Sequence, residues 1–172
     1  QESMVIGNLC IACTRYGIEV ANAIETLVAN NVADAAGGYC IRVNDSSDVV
    51  VTGNWVRNPI ATLAGQAYSS GVSILRCSEM VVSNNLFLMV TASTICVSID
   101  SSDNIAVNSN FARGAASGTA FASFFSAASE VTLIGNVMKS LAGLNKDSGT
   151  FTNILAIGDI RTGGSAGSRG GR

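Results

Sequence analysis

In this 172-residue chain, Asp45, Arg76, Asp100 and Asp103 have the side chains and spacing best suited to breaking a bond. An asparagine recurs along the sequence; Asp45 and Arg76 each stand nine residues before a copy of it, Asp100 ten before another, and Asp103 three further on. Two carboxylates about 5 to 9 Å apart are what glycoside hydrolysis needs, one as acid and one as base or nucleophile. A structural ion pair between Asp45 and Arg76 is the competing reading. A second set, Glu25, Asp48 and Glu79, stands six residues before the same asparagine, continued by Asn104 and Glu130. Stacked carboxylates could take Ca²⁺, which prefers oxygen ligands, or splay into water as turn residues. A third set is Trp55, Arg57, Asn58 and Tyr68, three of them in the segment RNPIATLAGQAYSS. Aromatic planes, an amide and a guanidinium suit sugar faces and hydroxyls; the segment could equally be a surface excursion.

Other chemistries are excluded by what is missing. There is no histidine, so no Ser-His or Cys-His nucleophilic pair and no imidazole-rich metal site can form. The five cysteines, Cys10, Cys13, Cys40, Cys77 and Cys96, are odd in number and dispersed, as expected of small buried apolar residues. Cys10-x-x-Cys13 could be a redox pair or half a zinc site, but no second pair with the required spacing accompanies it. Net charge is only −2 and no basic cluster is present, so nucleic acid is not an expected partner. Every apolar run is shorter than about 18 residues and the N-terminus has no basic n-region, so no membrane partner or signal peptide is expected.

The elements that position these residues follow from the recurring asparagine. Asn8, Asn31, Asn54, Asn85, Asn110 and Asn136 are separated by 23, 23, 31, 25 and 26 residues, a period that marks a solenoid. Three residues before each lies Val5, Val28, Val51, Val82, Val107 or Leu133, and five before lie Thr26, Val49, Met80, Ile105 and Val131. That alternation is one face of a strand. Thirteen and eleven residues before four of the anchors come Ile18/Val20, Ile41/Val43, Val72/Ile74 and Val97/Ile99, a second strand at constant offset. Helical and leucine-rich repeats need apolar spacings that are absent here. With 48% apolar and 13% charged residues and a single proline, the chain can bury a core of strands that pair in parallel from coil to coil.

The segments GIEVANAIETLVANNV, CIRVNDSSDVVVTGNWV, GVSILRCSEMVVSNNLF and ICVSIDSSDNIAVNSNF resemble the parallel β-helix repeat shared by pectate-lyase-like proteins, and most of all a segment of a phage tailspike or tail fibre. The resemblance implies an all-β, right-handed, single-stranded parallel β-helix of three sheets and about six to seven coils, with the asparagines stacked inside one bend. Coils about 4.8 Å apart would let their amides hydrogen-bond up the stack. Residues 1–160 are assigned to the β-helix and 161–172 to a flexible Gly/Ser/Arg tail.

For function, the resemblance implies a structural or receptor-binding element of a virion tail or extracellular protein, contacting cell-surface polysaccharide. The alternative is a polysaccharide hydrolase, lyase or epimerase. The paired-Asp and Gly-His signatures of polygalacturonases, the Arg loop of pectate lyases and the Asp-Pro-His stretch of alginate epimerases are absent, which favours the noncatalytic reading. A homotrimer or other homo-oligomer is expected, because Phe121, Phe124 and Phe125 lie in a run with no charge between Arg113 and Glu130 and are read as an outward interface. A widened core is the other explanation of that run.

Overall fold

The computed structural model describes residues 2–60, 69–89, 94–114, 119–139, 143–158 and 160–162, with backbone alone for 143–152 and 160–162. Each turn of the chain uses one strand before the asparagine, one after it and a third further on. The first turn is β1 (Ser3–Ile6), β2 (Leu9–Ile11) and β3 (Tyr16–Ala21); the second is β4 (Ile24–Ala29), β5 (Val32–Asp34) and β6 (Tyr39–Asn44). The third is β7 (Ser47–Thr52), β8 (Trp55–Arg57) and β9 (Ser69–Leu75), and the fourth is β10 (Ser78–Ser83), β11 (Leu86–Met89) and β12 (Thr94–Asp100). The fifth opens with β13 (Asp103–Asn108) and β14 (Phe111–Gly114) and runs into the long β15 (Ala120–Ile134), followed by β16 (Val137–Lys139), β17 (Gly143–Thr152), β18 (Leu155–Ile157) and β19 (Ile160–Thr162).

All pairings between these strands are parallel, and apart from register shifts between β15 and β17 they keep register from turn to turn, as Thr26↔Val49 and Val82↔Val107 illustrate. The protein is an all-β parallel solenoid of about five turns, fewer than the six to seven expected. β15 serves two turns at once, its first half pairing β12 and its second half β13. For that reason two of the three expected sheets are joined. β15 pairs both β12 and β13, which makes one twelve-stranded sheet alongside a seven-stranded sheet of β2, β5, β8, β11, β14, β16 and β19. β19 carries strand structure to Thr162, and residues 163–172 lie outside the described residues.

Inward columns of valine, isoleucine and leucine form one core, with Val28, Val51, Val82, Val107 and Leu133 all fully buried. Each such side chain contributes about 1.5–3 kcal/mol relative to exposure. Large and small residues alternate to keep the interior filled. A Cβ on Gly71 would lie 2.6 Å from Met89 Cε and 2.9 Å from Phe87 Cδ1, so that glycine makes room for the Phe87 ring. Phe87 in turn meets Phe121 edge to face, with centroids 6.5 Å apart.

This packing corrects the interface assigned to Phe121, Phe124 and Phe125. Phe121 and Phe124 are fully buried core residues, and Phe125 alone is partly exposed. Phe124 continues the inward column of Val43, Ile74 and Ile99, so both buried rings belong to the core. The cysteines divide into two groups. Cys40, Cys77 and Cys96 are buried as expected, and burial pushes the Cys40 thiol up to about 12. Cys10 and Cys13, also expected to be buried and apolar, instead form a disulfide. Both are half-exposed because β2 is the edge of its sheet, and the corner between them, with Ala12 at φ 54°, brings the two sulfurs together.

Candidate functional site

Among the described residues, seventeen non-glycine residues have positive φ, and most fall in columns at the corners of the turns. Left-handed backbone costs an ordinary L-residue roughly 1–2 kcal/mol, less for Asn and Asp. The corners therefore collect short polar side chains, and whether these point in or out decides what each bend can do.

At the anchor bend the left-handed residues, Asn30, Gly53, Asn84, Ser109 and Gly135, are exposed, and the asparagine after each of them points in. The Oδ1 of Asn54 accepts from both the backbone N–H and the Nδ2 of Asn31, at 3.0 Å each, while its Nδ2 donates to Val28 O at 3.0 Å and to Asn85 Oδ1 at 3.0 Å. The same set repeats at Asn85 and Asn110, which end on Asn136. Asn8, at the open end, donates to Asn31 and is exposed. All six predicted ladder members are thus brought together, and the ladder is structural: its polar atoms are used up by neighbouring coils.

Nine residues earlier, at the bend of Asn22, Asp45, Arg76 and Ser101, all with positive φ, the side chains point out. Arg76 clamps Asp45 through Nε–Oδ1 at 2.6 Å and Nη2–Oδ2 at 2.7 Å, and Asn44 Nδ2 adds a third hydrogen bond at 3.0 Å. The Arg76 and Asn44 hydrogen bonds hold the Asp45 carboxyl well below the usual carboxylate range. Asp100 lies close enough to favour the charge on Arg76, while its own Oδ1 accepts from Ser101 Oγ at 2.9 Å. Beside the pair, Asn22, Asp45, Ser46, Ser47, Arg76 and Ser78 line an open cleft of ≈ 390 Å³. The expected cluster is thereby split. Asp45, Arg76 and Asp100 share a bend, whereas Asp103 pairs in register with Ser78 and acts on Glu79.

The acidic column is the adjacent bend. Glu25, Asp48, Glu79, Asn104 and Glu130 all have positive φ, which turns their side chains to solvent. Asp48 hydrogen-bonds the Glu79 carboxyl and its charge raises that group above its ordinary value. Among the described residues no three His, Cys, Asp or Glu side chains converge as a metal cluster would require.

The third set lies on the outer face of the seven-stranded sheet. Trp55 is 42% exposed, with the Arg57 guanidinium 5.2 Å from its ring centre. Arg57 also forms an ion pair with Asp34, which accepts a long hydrogen bond from Asn58 Nδ2 at 3.5 Å. Tyr68 lies outside the described residues. Asp34 escaped the sequence reading; its place three residues after Asn31, one coil below Arg57, was the available signal. Ser46 and Ser102 escaped it too. Ser46 Oγ accepts from Ala23 N at 3.1 Å and donates to Asn44 O at 2.8 Å, and Ser102 Oγ makes the matching pair with Cys77 N and Asp100 O.

No protein family and no curated protein matches the sequence. Solved structures do. Full-length tailspike protein 2 from Escherichia coli O157:H7 bacteriophage CAB120 matches with TM-score 0.72 and 12% identity over 91% of this chain and 27% of that one. The chain is a parallel β-helix that resembles a segment of a phage tailspike. The enzymatically active domain of bacteriophage CBA120 tailspike protein 2 matches with TM-score 0.66 and 12% identity, over 90% of this chain and 31% of that one. The tailspike-like β-helix thus spans under a third of either structure, and the likeness at this identity is one of fold.

Proposed function

We propose that this tailspike-like β-helix is a structural, receptor-binding segment of an elongated phage tail or extracellular protein, and that it contacts cell-surface polysaccharide. The observation that carries the reading is the match to tailspike structures over 91% of the chain. Fixed columns of outward side chains on a stiff ladder suit it, since binding residues on a rigid scaffold need little ordering when the ligand arrives. The chain acts as a homotrimer or other homo-oligomer. Its support is a column free of charge on the outer face of the twelve-stranded sheet, where Met4, Leu27, Val50, Val81 and Ala106 follow one another in register and Met4 is 70% exposed. The test is retention of the chain on a panel of immobilised bacterial surface polysaccharides, with its mass in solution measured by light scattering. Retention on none of them would overturn the polysaccharide reading, and a monomer at micromolar concentration would overturn the oligomer.

The second reading, an enzyme cutting polysaccharide, is favoured by the cleft beside Asp45 and Arg76 with Asp100 close by. In it Asp100 serves as acid or base, because Asp45 is held as a carboxylate by Arg76. Release of reducing ends or unsaturated products, lost in Asp100→Asn, would establish it; equal turnover in that variant would remove it.

A further inference from the structure

The outer face of the seven-stranded sheet combines two features, a column of apolar and aromatic side chains and a neighbouring column of cations. Its first outward column runs Leu9, Val32, Trp55, Leu86, Phe111 and Val137 in unbroken register, with Trp55 42% and Phe111 41% exposed. The two rings are two coils apart, about 10 Å, with Leu86 half-buried between them. Its second outward column places Asp34, Arg57, Leu88, Arg113 and Lys139 side by side. The only carboxylate of that column, Asp34, is paired with Arg57. Arg113 and Lys139 are exposed, register neighbours, and among the described residues neither enters an ion pair. A chain of net charge −2 therefore presents a face of unpaired positive charge beside aromatic rings, while its acidic column of Glu25, Asp48 and Glu79 sits on a different bend.

We propose that this face binds an acidic polysaccharide, laid along the solenoid with sugar rings on Trp55 and Phe111 and its carboxylate, phosphate or sulfate groups at Arg113 and Lys139. The inference rests on the polysaccharide reading above and adds to it a face and a charge class. The aromatic rings supply apolar surface for the C–H side of a sugar. Two cations about 4.8 Å apart supply anion contacts, and the Arg57–Asp34 pair holds the indole from one side. A second copy of the chain is a poorer occupant, because copies meeting through this face across a two-fold axis would bring Arg113 and Lys139 towards their own kind.

Trp55 is the single tryptophan, so its emission reports this face alone. The experiment titrates the chain with polygalacturonate, alginate and hyaluronan, with neutral dextran as control, at low and at high salt. The expected result is a saturable change in Trp55 emission with at least one acidic polymer and none with dextran. The midpoint weakens as salt screens the cations, and at least tenfold in the double variant Arg113→Ala/Lys139→Ala, whose melting temperature matches wild type. Arg15→Ala, an exposed cation next to β3 in the other sheet, leaves the titration unchanged. No emission response to any acidic polymer, an equal response to dextran, or an unaltered midpoint in the double variant would overturn the proposal. If the chain is still retained on polysaccharide in those cases, the general reading survives and the contact lies on another face. If nothing is retained, both fall.

Discussion

Two bends of the same coil each place one residue in left-handed backbone, and the polar side chains that define them face opposite ways, one residue after it at the first bend and on it at the second. At the anchor bend Asn31, Asn54, Asn85, Asn110 and Asn136 turn inward and are almost completely buried. At the other, Asp45 and Arg76 turn outward at the exposed surface, bonded to each other and, through Asp45, to Asn44. An inward polar residue must find every partner inside the stack, so one residue type repeats without exception. An outward one has water as an alternative, and so Asn22, Asp45, Arg76 and Ser101 can differ from coil to coil.

The sharpest way to break the comparison is Asn54→Ala. It orphans Asn31 N–H and removes the amide donor from Val28 O in the core, while Asn85 Oδ1 keeps only the backbone N–H of residue 54. At about 1–3 kcal/mol for each buried unsatisfied group, the expected loss is about 3 kcal/mol or more, read by urea unfolding. Asn54→Asp should do no better, since it keeps the acceptor but puts a carboxylate against Val28 O. Asn8→Ala, at an exposed position whose side chain donates to Ile6 O and Asn31 Oδ1, should cost under about 1 kcal/mol. Equal losses at Asn8 and Asn54 would mean the ladder is not what holds the bend.

The inward half of the molecule was legible in the sequence and the outward half was not. A stacked column leaves a fixed mark, and the Asn anchors and their valines gave the strands, the parallel register and the ladder. Phe121 and Phe124 were misassigned because inward and outward positions on β15 cannot be told by alternation when both faces of the strand are covered. Ser123 on its other side, and its register partner Ser98 on β12, are buried as well. The Cys10–Cys13 disulfide depends on a corner and a sheet edge, neither of which has a periodic signature. Glu25, Asp48 and Glu79 were found as a column, but nothing in spacing tells whether such carboxylates converge or splay.

A smaller effect separates the two outward columns from each other by sign. Hydrogen bonding and repulsion from Asp48 raise the Glu79 carboxyl. A group raised on folding contributes its stability below its unfolded pKa, about 4.3, and loses it as pH rises through the folded value. At neutral pH the Asp48–Glu79 contact is therefore a liability, and Glu79→Gln should melt slightly higher than wild type at pH 7 and level with it below about pH 4.

Asp45 runs the other way and by the least. Its carboxyl is depressed by Arg76, so its contribution is present above its unfolded pKa, about 3.9, and fades as pH falls through the folded value. Asp45→Asn should melt lower than wild type at pH 7, by about one degree, since solvent screens an exposed pair even when it is bidentate. The difference should close on acidification. High salt should shrink it as well, whereas it should leave the Asn54→Ala loss nearly intact, because a buried amide ladder contains no net charge to screen. A large, salt-insensitive loss in Asp45→Asn would place this bend with the interior ladder and remove the distinction between a corner that holds the coil together and a corner free to meet a ligand.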